Sequence, residues 1–97
     1  MIIVHDTFIC KPGSAGKMAK LFKEVMGDHK DVLHIMTDMT GQWHRVIVVS
    51  QYEDLKAYQE NWEKHEKDTE ERKRMDEMMA GTKDMHVSGS REIYKVW

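Results

Sequence analysis

A carboxylate in the middle of an apolar strand is costly to bury unless a cation or a hydrogen-bond donor meets it. Asp6 is placed that way, with Ile2, Val4 and Phe8 at alternate positions of the run MIIVHDTFIC. Two arginines are available to answer it. Arg45 comes at a comparable depth of a third strand, expected beside the first and parallel to it, and Arg91 comes from the last strand. An Asp–Arg pair at this depth makes Asp6 a candidate catalytic group, with the arginines as candidate substrate contacts. A second line of candidates is Leu55, Tyr58, Trp62 and His65, spaced to share one face of a helix. Tyr58 and Trp62 offer aromatic surface there, and His65 is the side-chain type that exchanges protons near neutrality. The expected site is therefore Asp6 and His65 as catalytic groups, with Phe8, Arg45, Tyr58, Trp62 and Arg91 as substrate contacts. Each has a plainer reading: a structural salt bridge for the charges, and a core stripe for the aromatics.

No metal centre is expected. Among the six histidines there is no HxH or HExxH element. His5 and His44 are expected near the starts of neighbouring strands, and His86 at the opposite end of the sheet. Cys10 has no base beside it, which speaks against a catalytic thiol. Gly13-Ser14-Ala15-Gly16 lacks the length and the Lys-Ser/Thr ending of a phosphate loop.

The elements that must position these residues follow from pattern. Branched and aromatic residues predict a strand over Met1–Cys10, ended by Lys11-Pro12-Gly13. Ser14 caps a helix over Ala15–Met26, with Met18, Leu21, Phe22 and Val25 as its stripe and Gly27 as its stop. A second strand is predicted over Lys30–Thr40, a turn at Thr40-Gly41-Gln42, and a third strand over Trp43–Gln51. The long helical pattern Tyr52–Met79 opens with a capping-box spacing at Ser50 and Glu53. Asp68 and Glu71 repeat that spacing and predict a restart, followed by a short helix to Ala80 with Met75, Met78 and Met79 on its apolar side. The last strand spans Met85–Trp97, with an irregular entry at Ser88-Gly89-Ser90.

This order, β-α-β-β-α-β, predicts one α+β domain over residues 1–97 with a ferredoxin-like, four-stranded antiparallel sheet in the order 4-1-3-2. Both helices fall on one face, yet both faces of the central strands are apolar. A second copy of the chain is the simplest cover, so a homodimer is expected. Fifteen Lys and Arg against seventeen Asp and Glu, net −2, exclude a nucleic-acid footprint. No run approaches the roughly 20 apolar residues of a membrane span, and the first residues do not read as a signal peptide. A single Cys excludes an internal disulfide and predicts a cytoplasmic setting.

Strand 1 ending in Lys11-Pro12-Gly13, the block Val46-Ile47-Val48-Val49-Ser50-Gln51-Tyr52-Glu53-Asp54-Leu55-Lys56-Ala57-Tyr58, the charged break after the long helix and the closing strand together resemble the dimeric α+β barrel superfamily, near its NIPSNAP-type and antibiotic-biosynthesis-monooxygenase-type domains. The resemblance implies a homodimer with a pocket between sheet and helices. It implies activities that range from cofactor-independent monooxygenation of aromatic molecules to isomerisation of small acids, alongside members with none known. Haem-degrading members carry an Asn in mid-strand 1, matched by Asp6, and a Trp and a His matched in type by Trp62 and His65. Quinol-type monooxygenases use Asn, Trp, Arg and Tyr groups, for which Asn61, Trp62, Arg45 and Tyr52 supply the types. The reading that follows is a barrel binding an aromatic or apolar small molecule without a resident cofactor, haem being the alternative. A non-catalytic dimer is its rival.

Overall fold

Branched residues and a Pro-Gly stop make β1 out of Ile2–Cys10, the central strand of a computed structural model that describes residues 1–67 and 69–97. The other elements are α1 (Ala15–Met26), β2 (Val32–Thr37), β3 (Arg45–Tyr52), α2 (Leu55–Lys67), α3 (Thr69–Thr82) and β4 (His86–Lys95). The sheet order is β2-β3-β1-β4, the expected one, and every neighbouring pair is antiparallel. The expected restart is real: the long helical pattern forms two helices, although the capping signature at Asp68 lies outside the described residues. The domain is an α+β, ferredoxin-like fold with an extra helix in its second crossover.

Antiparallel pairing corrects the placement of β3. The β2–β3 connection is a hairpin and reverses the chain, so β3 runs against β1. Asp6 therefore stands opposite Val48, and Arg45 opposite Ile9 near the far end of the strand. The same reversal separates His5, which pairs with Val49, from His44, whose carbonyl accepts from the Cys10 N–H.

Alternation divides the sheet into two faces. Val4, Phe8 and Cys10 on β1, with Val46 and Val48 on β3, share the face turned to the helices, and Phe8, Cys10, Val46 and Val48 pack with Met18 and Phe22 of α1 and Met78 of α3. Val4, Met18, Phe22 and Val46 are fully buried, and the Phe8 and Phe22 rings lie 5.0 Å apart. Ile3, His5, Thr7 and Ile9, together with Ile47, Val49, Met36 and Tyr94, line the opposite face.

The helix that covers the core beside α1 is α3, through Met75 and Met78, while Met79 stays exposed. Helix α2 buries none of its residues completely, and Leu55 is 60 % exposed rather than part of an inner stripe. Its N-cap also differs from expectation. Asp54 Oδ1 accepts the Ala57 N–H at 2.8 Å, whereas Ser50 lies inside β3. Ser14 stands at the N-cap of α1 without a side-chain bond, its carbonyl accepting the Met18 N–H. The irregularity in β4 falls opposite Ile9 and Cys10, a residue ahead of the serine–glycine entry.

Candidate functional site

Asp6 meets Arg91, not Arg45. The two residues are directly opposed across β1 and β4, and Arg91 Nε donates to Asp6 Oδ1 at 2.5 Å. Arg91 extends beneath α2: its guanidinium carbon is 5.1 Å from the centre of the Trp62 ring and 5.9 Å from that of Tyr58. Tyr58 and Trp62, a helical turn apart, meet edge to face at 6.3 Å, and Tyr52 meets Tyr58 the same way at 5.1 Å. Burial pulls the Arg91 guanidinium down, but the hydrogen bond and charge of Asp6, together with Tyr58 and Tyr52, outweigh it and leave the group above its ordinary value. Four of the expected residues, Asp6, Tyr58, Trp62 and Arg91, thus form one cluster between α2 and the sheet.

Within that cluster the Tyr58 hydroxyl is buried and, among the described residues, has no hydrogen-bond partner. A buried hydroxyl left unpaired costs about 1–3 kcal/mol. Its neighbour Tyr52 is satisfied, since Asn61 Nδ2 donates to the Tyr52 hydroxyl at 3.2 Å.

Three expected residues lie elsewhere. Phe8 is a core residue packed on Phe22. Arg45 organises the β2–β3 loop: its Nε donates to the Gln42 carbonyl at 2.9 Å, its Nη2 to the Thr40 carbonyl, and its own N–H goes to Asp38 Oδ1 at 2.7 Å. Gly41 and His44 give that loop its positive φ angles, 94° and 63°. His65 turns away from Trp62 into a cleft of about 830 Å³, bounded by the α1–β2 loop, the end of β3 and α2. His65 Nδ1 donates to Glu71 Oε1 at 2.6 Å, and its Nε2 lies 3.0 Å from His29 Nε2. The Asp31 N–H donates to His29 Nδ1 at 3.3 Å, so in the neutral ring His29 Nε2 carries the proton toward His65. His29, His65 and Glu71 come from three elements, and their ligand atoms all lie within 4.8 Å of one another. Nothing in the sequence marked His29, which sits in a turn without periodicity. Trp62 and His65, the two residue types that haem-degrading members carry, do not share one site: Trp62 lies against Arg91, and His65 meets His29 and Glu71.

Burial pushes the Tyr52 phenol above its ordinary 10.0; a hydrogen bond with Ser50 acts against this, and the charges of Asp31 and Asp6 add to it. Burial likewise raises the Cys10 thiol above 9.0, with the Asp38 charge adding. A raised folded-state value means that stability is intact below the unfolded value and is lost as the pH climbs through the folded one. The urea midpoint should therefore begin to fall above pH 9.0, where Cys10 starts to ionise in the unfolded chain, and fall further above 10.0 through Tyr52. The double variant Cys10→Ala, Tyr52→Phe should flatten that alkaline limb; an unchanged limb would assign it to other groups.

An antiparallel sheet in a βαββααβ chain, covered by helices on one side and with an aromatic–ion-pair cluster under α2, defines a ferredoxin-like α+β domain. The chain belongs to the NIPSNAP family, whose model matches residues 6–91. No curated protein matches it. It is similar in fold to an uncharacterised NIPSNAP domain protein from Burkholderia xenovorans, at TM-score 0.81 and 11 % identity over 100 % of this chain and 95 % of that one. A NIPSNAP family protein of unknown function from Agrobacterium tumefaciens gives 0.80 and 15 %, over 99 % and 87 %. A structure described as an antibiotic biosynthesis monooxygenase gives 0.60 and 12 %, over 100 % and 99 %.

Proposed function

We propose that the domain is a homodimeric, cytoplasmic binding barrel that takes a small aromatic molecule carrying a hydroxyl or carbonyl group between α2 and the sheet. The observation that carries this is the unpaired, buried Tyr58 hydroxyl beside the Asp6–Arg91 pair and the Trp62 ring. Because Arg91 is already matched by Asp6, the cluster carries no net charge and suits a neutral polar group better than a free carboxylate. Trp62 supports the ring, Tyr58 pairs with the oxygen, and Arg91 steadies any negative charge that develops on it. Asp6 is the group in the cluster able to accept a proton. That complement serves cofactor-independent oxidation or isomerisation of an activated aromatic molecule.

The second copy belongs on the face of the sheet turned away from the helices, where Ile3, Ile9 and Ile47 are partly buried and Met36 is exposed. No helix is long and apolar enough to cross a membrane.

Titration with 2-naphthol, followed by ligand-observed saturation-transfer NMR, tests the site. Tyr58→Phe should weaken binding about tenfold, the value of a hydrogen bond of roughly 1.5 kcal/mol. Asp6→Asn should weaken it as well, with the far-ultraviolet circular dichroism of both variants unchanged. Failure of a panel of hydroxylated aromatics to bind, or binding indifferent to Tyr58→Phe and Asp6→Asn alike, would overturn the reading in favour of a non-catalytic structural dimer.

A further inference from the structure

We propose that the cleft on the other flank of α2 is a binding site for a divalent cation of the zinc class, held by His29 and His65. The nitrogens that would bind it are already in position. Two imidazoles bound to one zinc ion at about 2.0–2.1 Å hold their nitrogens roughly 2.9–3.4 Å apart, across angles from square to tetrahedral. His29 Nε2 and His65 Nε2 are 3.0 Å apart. The ring centres are 4.9 Å apart with the planes tilted by 44°. That is closer than two rings set end to end across such a contact would stand, so the nitrogens approach at an angle, as two ligands of one ion do.

The opposite nitrogen of each ring is backed by a carboxylate. His65 Nδ1 is 2.6 Å from Glu71 Oε1, and His29 Nδ1 is 3.8 Å from Asp31 Oδ2. The Glu71 carboxylate behind His65 fixes the tautomer that leaves its Nε2 free for the metal and raises its basicity. His29, whose Nδ1 accepts the Asp31 N–H, has to move its proton to Nδ1, on the side of the Asp31 carboxylate, before its Nε2 can bind. The support comes from separate parts of the fold: His29 and Asp31 from the α1–β2 loop, His65 from the last turn of α2, and Glu71 from the first turn of α3.

The surroundings suit a cation. The cleft is lined by five carboxylates, Asp28, Asp31, Glu53, Glu60 and Glu71, and by two lysines, Lys30 and Lys64. His29 and His65 keep 25 % and 22 % of their side chains exposed, so an ion can reach them from solvent. Two protein nitrogens make an open site, whose remaining positions face the cleft and its oxygens. This site is independent of the aromatic one, and either reading can fail alone.

Zinc added to tag-free, chelator-stripped full-length protein and followed by calorimetry should bind at one ion per chain. Cobalt at the same site should show the visible absorption of nitrogen-ligated Co²⁺. His29→Ala and His65→Ala should each lose more affinity than the roughly 10–100-fold expected for Glu71→Gln. His5→Ala, on the bare sheet face, should bind as the parent does. Thermal midpoints without metal should stay close to the parent's in the loop variant His29→Ala, which keeps the result readable if His65→Ala loosens α2. Absence of zinc binding would overturn the proposal, as would binding that survives both His29→Ala and His65→Ala.

Discussion

Phe22→Ala should lower the stability of this domain by about 3–5 kcal/mol, the usual cost of emptying a buried aromatic site. Phe22 has no exposed surface and packs against Phe8, with Met18, Val46 and Met78 in the same cluster. That cluster draws on both crossovers, so no neighbour can fill the void without shifting a helix. Domains of this kind have total stabilities of about 5–15 kcal/mol, so the loss would take a large share of the margin. Urea unfolding at fixed protein concentration should show a lower midpoint with an unchanged slope. Leu55→Ala, at a site 60 % exposed, should change stability by less than about 0.5 kcal/mol. A Phe22→Ala loss below about 1 kcal/mol would mean that the core lies elsewhere.

If the domain pairs as proposed, Ile47→Glu should leave it a monomer. Ile47 sits between Thr7 and Met36 on the bare face of the sheet, in the middle of the row that a second copy would cover. An unpaired carboxylate in an apolar interface costs several kcal/mol. Every step of about 1.4 kcal/mol is tenfold in association, so a loss of about 100-fold or more is expected. Light scattering at micromolar concentration should give twice the chain mass for the parent and once for the variant. Folding should survive, because the residue lies outside the core cluster and is only partly buried within one copy. A monomeric parent protein would remove the dimer outright.

Local signals in this chain are strong where one residue type has one use. The stripe Met18, Leu21, Phe22 and Val25 between a Pro-Gly turn and Gly27 defines α1 to the residue. The strand order was legible too, because right-handed crossovers leave few alternatives. Taking β3 as parallel to β1 leaves Arg45 and Arg91 as competing partners of Asp6; the reversal at the β2–β3 hairpin carries Arg45 to the level of Ile9 and leaves Arg91 opposite Asp6. The aromatic cluster could be foreseen because Tyr58 and Trp62 share a helix face, and the strand pairing then carries Arg91 to them. The His29–His65 contact could not, since it joins a turn to a helix end across 36 residues of chain. One local hint existed: His65 and Glu71 straddle the break that the charge pattern had marked.

The seating of α2 has a further consequence, for motion. The hydrophobic cluster is built from the sheet, α1 and α3, and α2 buries none of its residues completely, so α2 should open ahead of the rest and exchange its amide hydrogens first. Such a partial opening lies well below global unfolding in free energy. Both faces of chemical interest, the aromatic cluster and the histidine cleft, touch this one helix. Anything held at either place binds the seated form alone and makes lifting harder by its own binding free energy. Helix α2 is thus the door to one compartment and the doorpost of the other, and occupancy of either would slow traffic through both.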